Sequence, residues 1–328
     1  IEGDAVIKNA QGGEAGAGIG SGTYGDSEII IRGDAVIENA ESSGNGAGIG
    51  SGQGDLYPDG DGMVIDPTVG NVTIEGNAKI ENAKSGYGGS GIGGGTIGIG
   101  NVIIRGNAQI GNATGGEEGA GIGGGQGGSG SNITISDGKV TATGAGAGAG
   151  IGGGYEGSGK GITIEGGEVT ARGDTGGAGI GGGLNGTGSD VTISGDAQVK
   201  VQGGTADERW KEGAAIGNGG TRTAEGNEVS PNTSDLTVEG SIQIYEPGKN
   251  INTDTPDKTI EGQKGDHSWN AGEVTTPATC TAPGVRTYTC TKNPAHTKTE
   301  PIPALNHLFS NYTYNNDATC TQDGTETA

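Results

Sequence analysis

The chain has 328 residues, 77 of them glycine and only 3% aromatic, and its 40 acidic against 18 basic residues give a formal charge of −22. That balance, with no basic stripe anywhere, excludes nucleic acid and anionic membrane surfaces as partners. Glycine interrupts every window that could make an amphipathic helix, and its lack of a strict third-residue period excludes collagen.

An isoleucine set among glycines recurs seven times, at Ile19, Ile49, Ile92, Ile122, Ile151, Ile180 and Ile216, with spacings of 30, 43, 30, 29, 29 and 36 residues. A unit of this length repeated with insertions is the signature of a solenoid. Each unit divides into three segments. The first alternates aliphatic and polar residues, as in Val72-Thr73-Ile74, Ile162-Thr163-Ile164 and Val191-Thr192-Ile193, which predicts a strand with one face buried. A turn follows at Gly33-Asp34, Gly76-Asn77, Gly106-Asn107 or Gly195-Asp196, residue types that tolerate positive φ. A second strand is anchored by Ile7, Ile37, Ile80, Ile110, Val140, Val169 and Val199. The third segment is Gly-Ala-Gly-Ile-Gly. Three strands and three turns per unit predict an all-β fold, a single-stranded parallel β-helix of about eight coils over residues 1–245, with small β-rich repeats after it.

Two columns stand out in this register. Asn9, Asn39, Asn82 and Asn112 each follow the second strand's Ile by two residues, so continued alternation points them inward as a structural amide ladder that gives way to Ala142, Ala171 and Val201. Gly18, Gly48, Gly91, Gly121, Gly150 and Gly179 alternate with inward Ala and Ile, which turns them outward. They suit either close coil geometry or a flat docking face, through which the chain, otherwise a monomer, would associate laterally.

Insertions carry the candidate site residues. Tyr24, Tyr57 and Tyr155 follow the glycine phrase, and Arg209 with Trp210 precedes its last copy, so these five are candidates for stacking on and bonding to a sugar. Asp55, Asp59, Asp61 and Asp66 lie in one insertion and are the candidate oxygen ligands of a Ca²⁺ ion, the one cofactor the sequence suggests. Leu236–Tyr245 reads as a last partial coil, and residues 246–266, with Pro247 and Pro256, as a linker.

A second repeat follows, with His267-Ser268-Trp269 and Ala278-Thr279-Cys280-Thr281 recurring 40 residues later as His307-Leu308-Phe309 and Ala318-Thr319-Cys320-Thr321. It divides into 267–306 and a shortened 307–328. Together with Gly284, Tyr288-Thr289-Cys290-Thr291, Lys298-Thr299-Glu300 and Ile302-Pro303-Ala304, this segment resembles Cys-containing repeats of large surface proteins from Gram-positive gut bacteria. The glycine-phrase region is similar to regions of the same proteins. More loosely, its Ile-Thr-Ile-x-Gly-Gly strands resemble β-helical carbohydrate-binding modules, which lack the glycine phrase. The resemblance implies an extracellular setting, which a Cys280–Cys290 disulfide fits. Ile1 sits where a first strand should be finishing, and a partner for Cys320 would fall just past Ala328, so both ends read as cut; the lack of a signal peptide or apolar span in such a piece says nothing of secretion.

The three histidines, His267, His296 and His307, all fall in the C-terminal repeats, and the solenoid's carboxylates fall at turns, so no catalytic constellation is expected. The expected function is a non-enzymatic surface-protein segment, a stalk or adhesin meeting host or cell-wall polysaccharide or glycoprotein. The alternative is a polysaccharide-binding module, calcium-dependent or not, and more remotely a polysaccharide lyase or hydrolase. No segment is expected to insert directly into a membrane.

Overall fold

The computed structural model describes residues 1–59, 62–233, 235–237, 239–262, 269–279, 282–291, 297–304, 313–316, 319 and 326–327. They fall into two units, Ile1–Gly265 and Asp266–Ala328. Among the described residues all regular structure is β, and no helix is long and apolar enough to cross a membrane.

The first unit is a parallel β-solenoid built from three sheets. The first strands, Ser27–Ile31, Val69–Ile74, Ile99–Ile104, Gly130–Ile135, Gly159–Ile164 and Gly188–Ile193, form one sheet of six. The second strands run from Val6–Gly12 and Val36–Ser42, through Lys79–Lys84, Gln109–Thr114, Lys139–Thr143, Glu168–Arg172 and Gln198–Gln202, to Ser241–Tyr245. The glycine phrases pair Ile on Ile from Ile19–Gly20 to Ile216–Gly217 in a sheet of seven. Six coils therefore carry all three strands, with a partial coil at each end.

Like residues stack on like because parallel register repeats each coil on the one before. Ile31, Ile74, Ile104, Ile135, Ile164 and Ile193 form one fully buried column, and Ile49 to Ile180 another. Burying each such side chain stabilises the fold by about 1.5–3 kcal/mol. The turn glycines Gly33, Gly76 and Gly106 take φ of +77°, +75° and +73°, as their sequence context predicts.

The asparagine column does not point inward. Ile37 and Ala40, Ile80 and Ala83, and Ile110 and Ala113 are the buried pairs, with two residues between members instead of one. Asn39 and Asn82 are half-buried and Asn9 and Asn112 exposed. Simple alternation fails because the strand is bulged there. In the next coil Ile110 pairs with Val140 but Ala113 pairs with Ala142, so the residue at Asn112 has been dropped and Ala142, Ala171 and Val201 continue the Ala113 column.

The glycine expectation is likewise corrected. Gly48, Gly91, Gly121, Gly150 and Gly179 are buried, packed against the second strand of the following coil. A Cβ on Gly121 would lie 2.5 Å from the Thr143 amide, and one on Gly150 2.5 Å from that of Arg172. These positions need glycine for backbone-to-backbone contact, as does the half-buried Gly18, where a Cβ would lie 2.5 Å from the Glu41 amide, so the column is enclosed and not a bare outward face.

Residues 246–262 are not a linker. Lys258–Glu261 adds to Ser241–Tyr245 as an antiparallel ninth strand. Gln202 Nε2 donates to the carbonyls of Glu246 (2.7 Å) and Lys249 (2.9 Å), and Ile251 is buried. Glu228 accepts from the amides of Ala215 (2.7 Å) and Ile216 (3.2 Å), covering the last glycine phrase. Pro247 and Gly248 turn the chain back so that this segment closes the sheet edge.

The second unit contains an antiparallel sheet of Glu273–Thr276, Gly284–Thr289 and Thr297–Ile302, and a pair Thr313–Tyr314 with Glu326–Thr327. Cys290 is buried and bridges Trp269 through the backbone. Cys280, and with it the expected disulfide, lies outside the described residues.

Candidate functional site

Several surfaces of the solenoid carry chemistry. The outward face of the second-strand sheet is the broadest. Register places Lys79, Gln109, Lys139, Glu168 and Gln198 in one column and, past the bulge, Thr141, Thr170 and Lys200 in its neighbour. Lys79 pairs with Glu81 at 2.7 Å, and Lys139 reaches across one coil to Glu168 at 2.7 Å. The hydrogen bond from Lys139, then its charge and that of Lys200, hold the Glu168 carboxyl below the usual range. Two shallow depressions of about 490 and 390 Å³ run along this face, meeting at Lys139 and Thr141; Asn252 of the C-terminal cap stands at the far one. The polar lining is amide, hydroxyl, ammonium and the carboxylates of Glu81 and Glu168, groups that bond hydroxyl-rich ligands, set among strand aliphatics such as Ile80, Val140 and Val169.

At the corner that follows the glycine phrase, Tyr155 sits half-buried beside Glu156, and its amide donates to the Glu118 carbonyl at 2.8 Å. Burial, then the charges of Glu117 and Glu156, push the Glu118 carboxyl up, and its Oε2 is buried without a hydrogen bond from the protein. The Tyr155 phenol is pushed up by burial and by its hydrogen bond to Glu156. Tyr24 occupies the same corner four coils away but one position later, 61% exposed and with φ of +62°. The two tyrosines share an edge, not a column.

Trp210 is half-buried, its amide bonded to Asp207 Oδ1 at 2.7 Å, with Arg222 over its ring at 5.0 Å from the centroid. Arg222 was invisible to a reading of the 205–213 insertion alone, since the loop after Ile216 delivers it. Arg209 is exposed beside the tryptophan, its amide on the same Asp207 oxygen.

The long insertion folds as a two-stranded hairpin, Asp55–Asp59 with Gly62–Asp66. Asp55 faces Asp66 across it and Asp59 faces Gly62, so extended strands spread the carboxylates along one face rather than wrapping them around an ion; Asp61 lies outside the described residues. No group of three or more His, Cys, Asp or Glu residues placed to hold a metal occurs among the described residues. Tyr57 stands on the same face as Asp55 and Asp59, 41% exposed, while Tyr24, Tyr155 and Trp210 belong to other coils and are not gathered with it.

Arg32 and Arg105 occupy one column with Glu2 and Glu75. Arg105 Nε donates to Glu75 Oε2 at 2.7 Å, and Arg32 Nε to Glu2 Oε2 at 2.8 Å. Their charge is spent within the ladder.

A family model described as a beta helix repeat matches residues 133–155 and 162–184, each stretch running from a first strand to the corner past the glycine phrase. No curated protein and no solved structure matches the chain.

Proposed function

We propose that the chain is a non-enzymatic segment of an extracellular surface protein, whose solenoid is a stiff spacer presenting polar side-chain faces for attachment. The carrying observation is the unbroken backbone ladder from Val6–Gly12 to Ser241–Tyr245, in which the six complete coils bond one another through three sheets and the second-strand sheet continues into the partial coil at each end. Side-chain ladders reinforce it at Asn9–Asn39–Asn82–Asn112 and at Asn77–Asn107. The extracellular setting rests on the likeness of the C-terminal repeats to bacterial surface proteins. Spin labels attached through encoded azides at Lys8 and Gln243 test the stiffness. Seven strand steps predict a single narrow distance of roughly 34 Å, and a broad distribution removes the spacer reading.

A second reading, polysaccharide binding, is favoured by the grooved face at Lys139, Thr141, Thr170, Gln198 and Lys200. A glycan array with and without Ca²⁺ addresses it. Saturable binding lost on Lys200→Ala supports the groove; binding lost only on Tyr57→Ala or Trp210→Ala moves the site to the loops.

A further inference from the structure

We propose that the hairpin Asp55–Asp59/Gly62–Asp66 is a docking strand for an extended segment of another protein that alternates apolar and basic side chains. Three observations lead there. First, one hairpin face is wholly apolar and open. Leu56 pairs with Ile65 and Pro58 with Met63, and Leu56, Met63 and Ile65 are 48%, 58% and 63% exposed. Met63 is the only methionine of the chain, and a contiguous exposed apolar patch of this kind marks a contact surface.

Second, the opposite face carries Asp55, Asp59 and Asp66 with Tyr57 and Val64, and no cation occurs between Asp55 and Asp66. With a chain charge of −22, a second copy would set carboxylate against carboxylate, whereas a basic partner meets complementary charge.

Third, the two outer edges differ. Pairs in an antiparallel hairpin alternate between turning their backbone groups toward each other and outward, and the Leu56 amide, held by Asp55 Oδ1, sets the phase, so Asp59–Gly62, Tyr57–Val64 and Asp55–Asp66 turn theirs toward each other. The groups of Leu56, Pro58, Met63 and Ile65 face out. On the first strand, Pro58 has no N–H and the Leu56 amide is taken by Asp55 Oδ1 at 2.8 Å. On the second strand, Met63 and Ile65 present donors and acceptors, and the hairpin pairs with no further strand among the described residues. An added strand there places its alternate apolar side chains beside Met63 and Ile65 and its lysines or arginines beside Asp66.

The test is fluorescence anisotropy of the full chain with a capped, labelled (Lys-Val)₃ peptide, against (Glu-Val)₃ and the block sequence Lys₃Val₃ as controls. Selective binding of (Lys-Val)₃ is expected, weakened by salt. Ile65→Pro, which removes an outward donor and leaves the inner ladder intact, should weaken binding about tenfold, the worth of one or two edge hydrogen bonds. Deleting Asp55–Asp66 should abolish it while keeping the solenoid, because the deletion returns the Ile49–Ile92 spacing to within one residue of its neighbours. Equal binding of the block peptide, or binding that survives the deletion, would overturn the proposal. So would dimerisation relieved by Ile65→Pro, or hairpin-dependent sedimentation with phosphatidylcholine vesicles, which would assign the apolar face to a second copy or to a membrane.

Discussion

Asn112 donates a hydrogen bond from Nδ2 to Oδ1 of Asn82 across adjacent coils at 3.1 Å, and it does so from outside the apolar core. Asn82 repeats the bond to Asn39 at 3.0 Å and also donates to the Glu38 carbonyl at 3.2 Å. The ladder sits on a bulge, so each amide satisfies a groove of backbone that a regular strand would not open. This gives the bulged coils a reason to keep asparagine and the later coils no need of it.

Replacing a middle rung should therefore cost more than replacing an end rung. Asn82→Ala removes three hydrogen bonds, those to Asn39 and the Glu38 carbonyl and the one from Asn112, whereas Asn112→Ala removes two, to Asn82 and to the Glu81 carbonyl at 3.5 Å. At about 1 kcal/mol per hydrogen bond, urea unfolding followed by circular dichroism should show Asn82→Ala destabilised by about 3 kcal/mol and Asn112→Ala by about 1 kcal/mol less. Equal losses would mean that the amides act only on their own bulges.

Gly121→Ala should be severely destabilising. Its methyl would fall 2.5 Å from the Thr143 amide and 2.7 Å from the Gly150 carbonyl, both backbone, so relief needs the coils to part. A loss above about 3 kcal/mol is expected. Gly13→Ala, where the added methyl meets nothing within 4 Å, is the control and should change little. A tolerated Gly121→Ala would reopen the outward glycine face.

The raised Glu118 carboxyl gives a pH signature. Because its folded value lies above the unfolded one, the native state holds the proton more tightly, and stability falls as pH rises from the ordinary carboxylate value through the raised one. Above the raised value the carboxylate carries its unfavourable charge in full. Glu118→Gln should be the more stable protein at pH 7 by less than about 1 kcal/mol, because solvent still reaches the group. The difference should vanish on acidification below the ordinary value; thermal melts of both proteins from pH 7 to pH 4 check this, and an advantage that persists in acid would contradict it.

Removing residues 152–180 takes out one repeat and joins Ile151 to Gly181, which follows Ile180 in the parent chain. Since each coil contacts mainly its neighbours, the shortened chain should fold, and the distance between labels at positions 8 and 243 should shrink by about 4.8 Å. An unfolded product would show coupling beyond nearest neighbours.

Much of the molecule could be read from residue order. The Ile-to-Ile spacings gave the coil, the Gly-Asp and Gly-Asn pairs gave its positive-φ turns, and the missing glycine phrase after Tyr245 marked the final partial coil. The site was less legible. Lys139 and Glu168 are 29 residues apart and become partners only because parallel register sets one coil on the next. Arg222 reaches Trp210 through a loop whose path no local motif encodes. The segment 246–262 has a linker's composition, yet the open edge of Ser241–Tyr245 recruits it as a strand.

The sequence alone determined the repeat, the isoleucine and valine core columns and the class of fold, because those depend on periodicity, and periodicity survives in a linear string. Only the tertiary structure decided which face each strand residue takes where a bulge adds one residue, as at Asn112, and whether a glycine is bare or pressed between backbones, as at Gly121. Both depend on the neighbouring coil. A one-residue change in register exchanges inside for outside, and a Cβ is admitted or refused by atoms about thirty positions away along the chain.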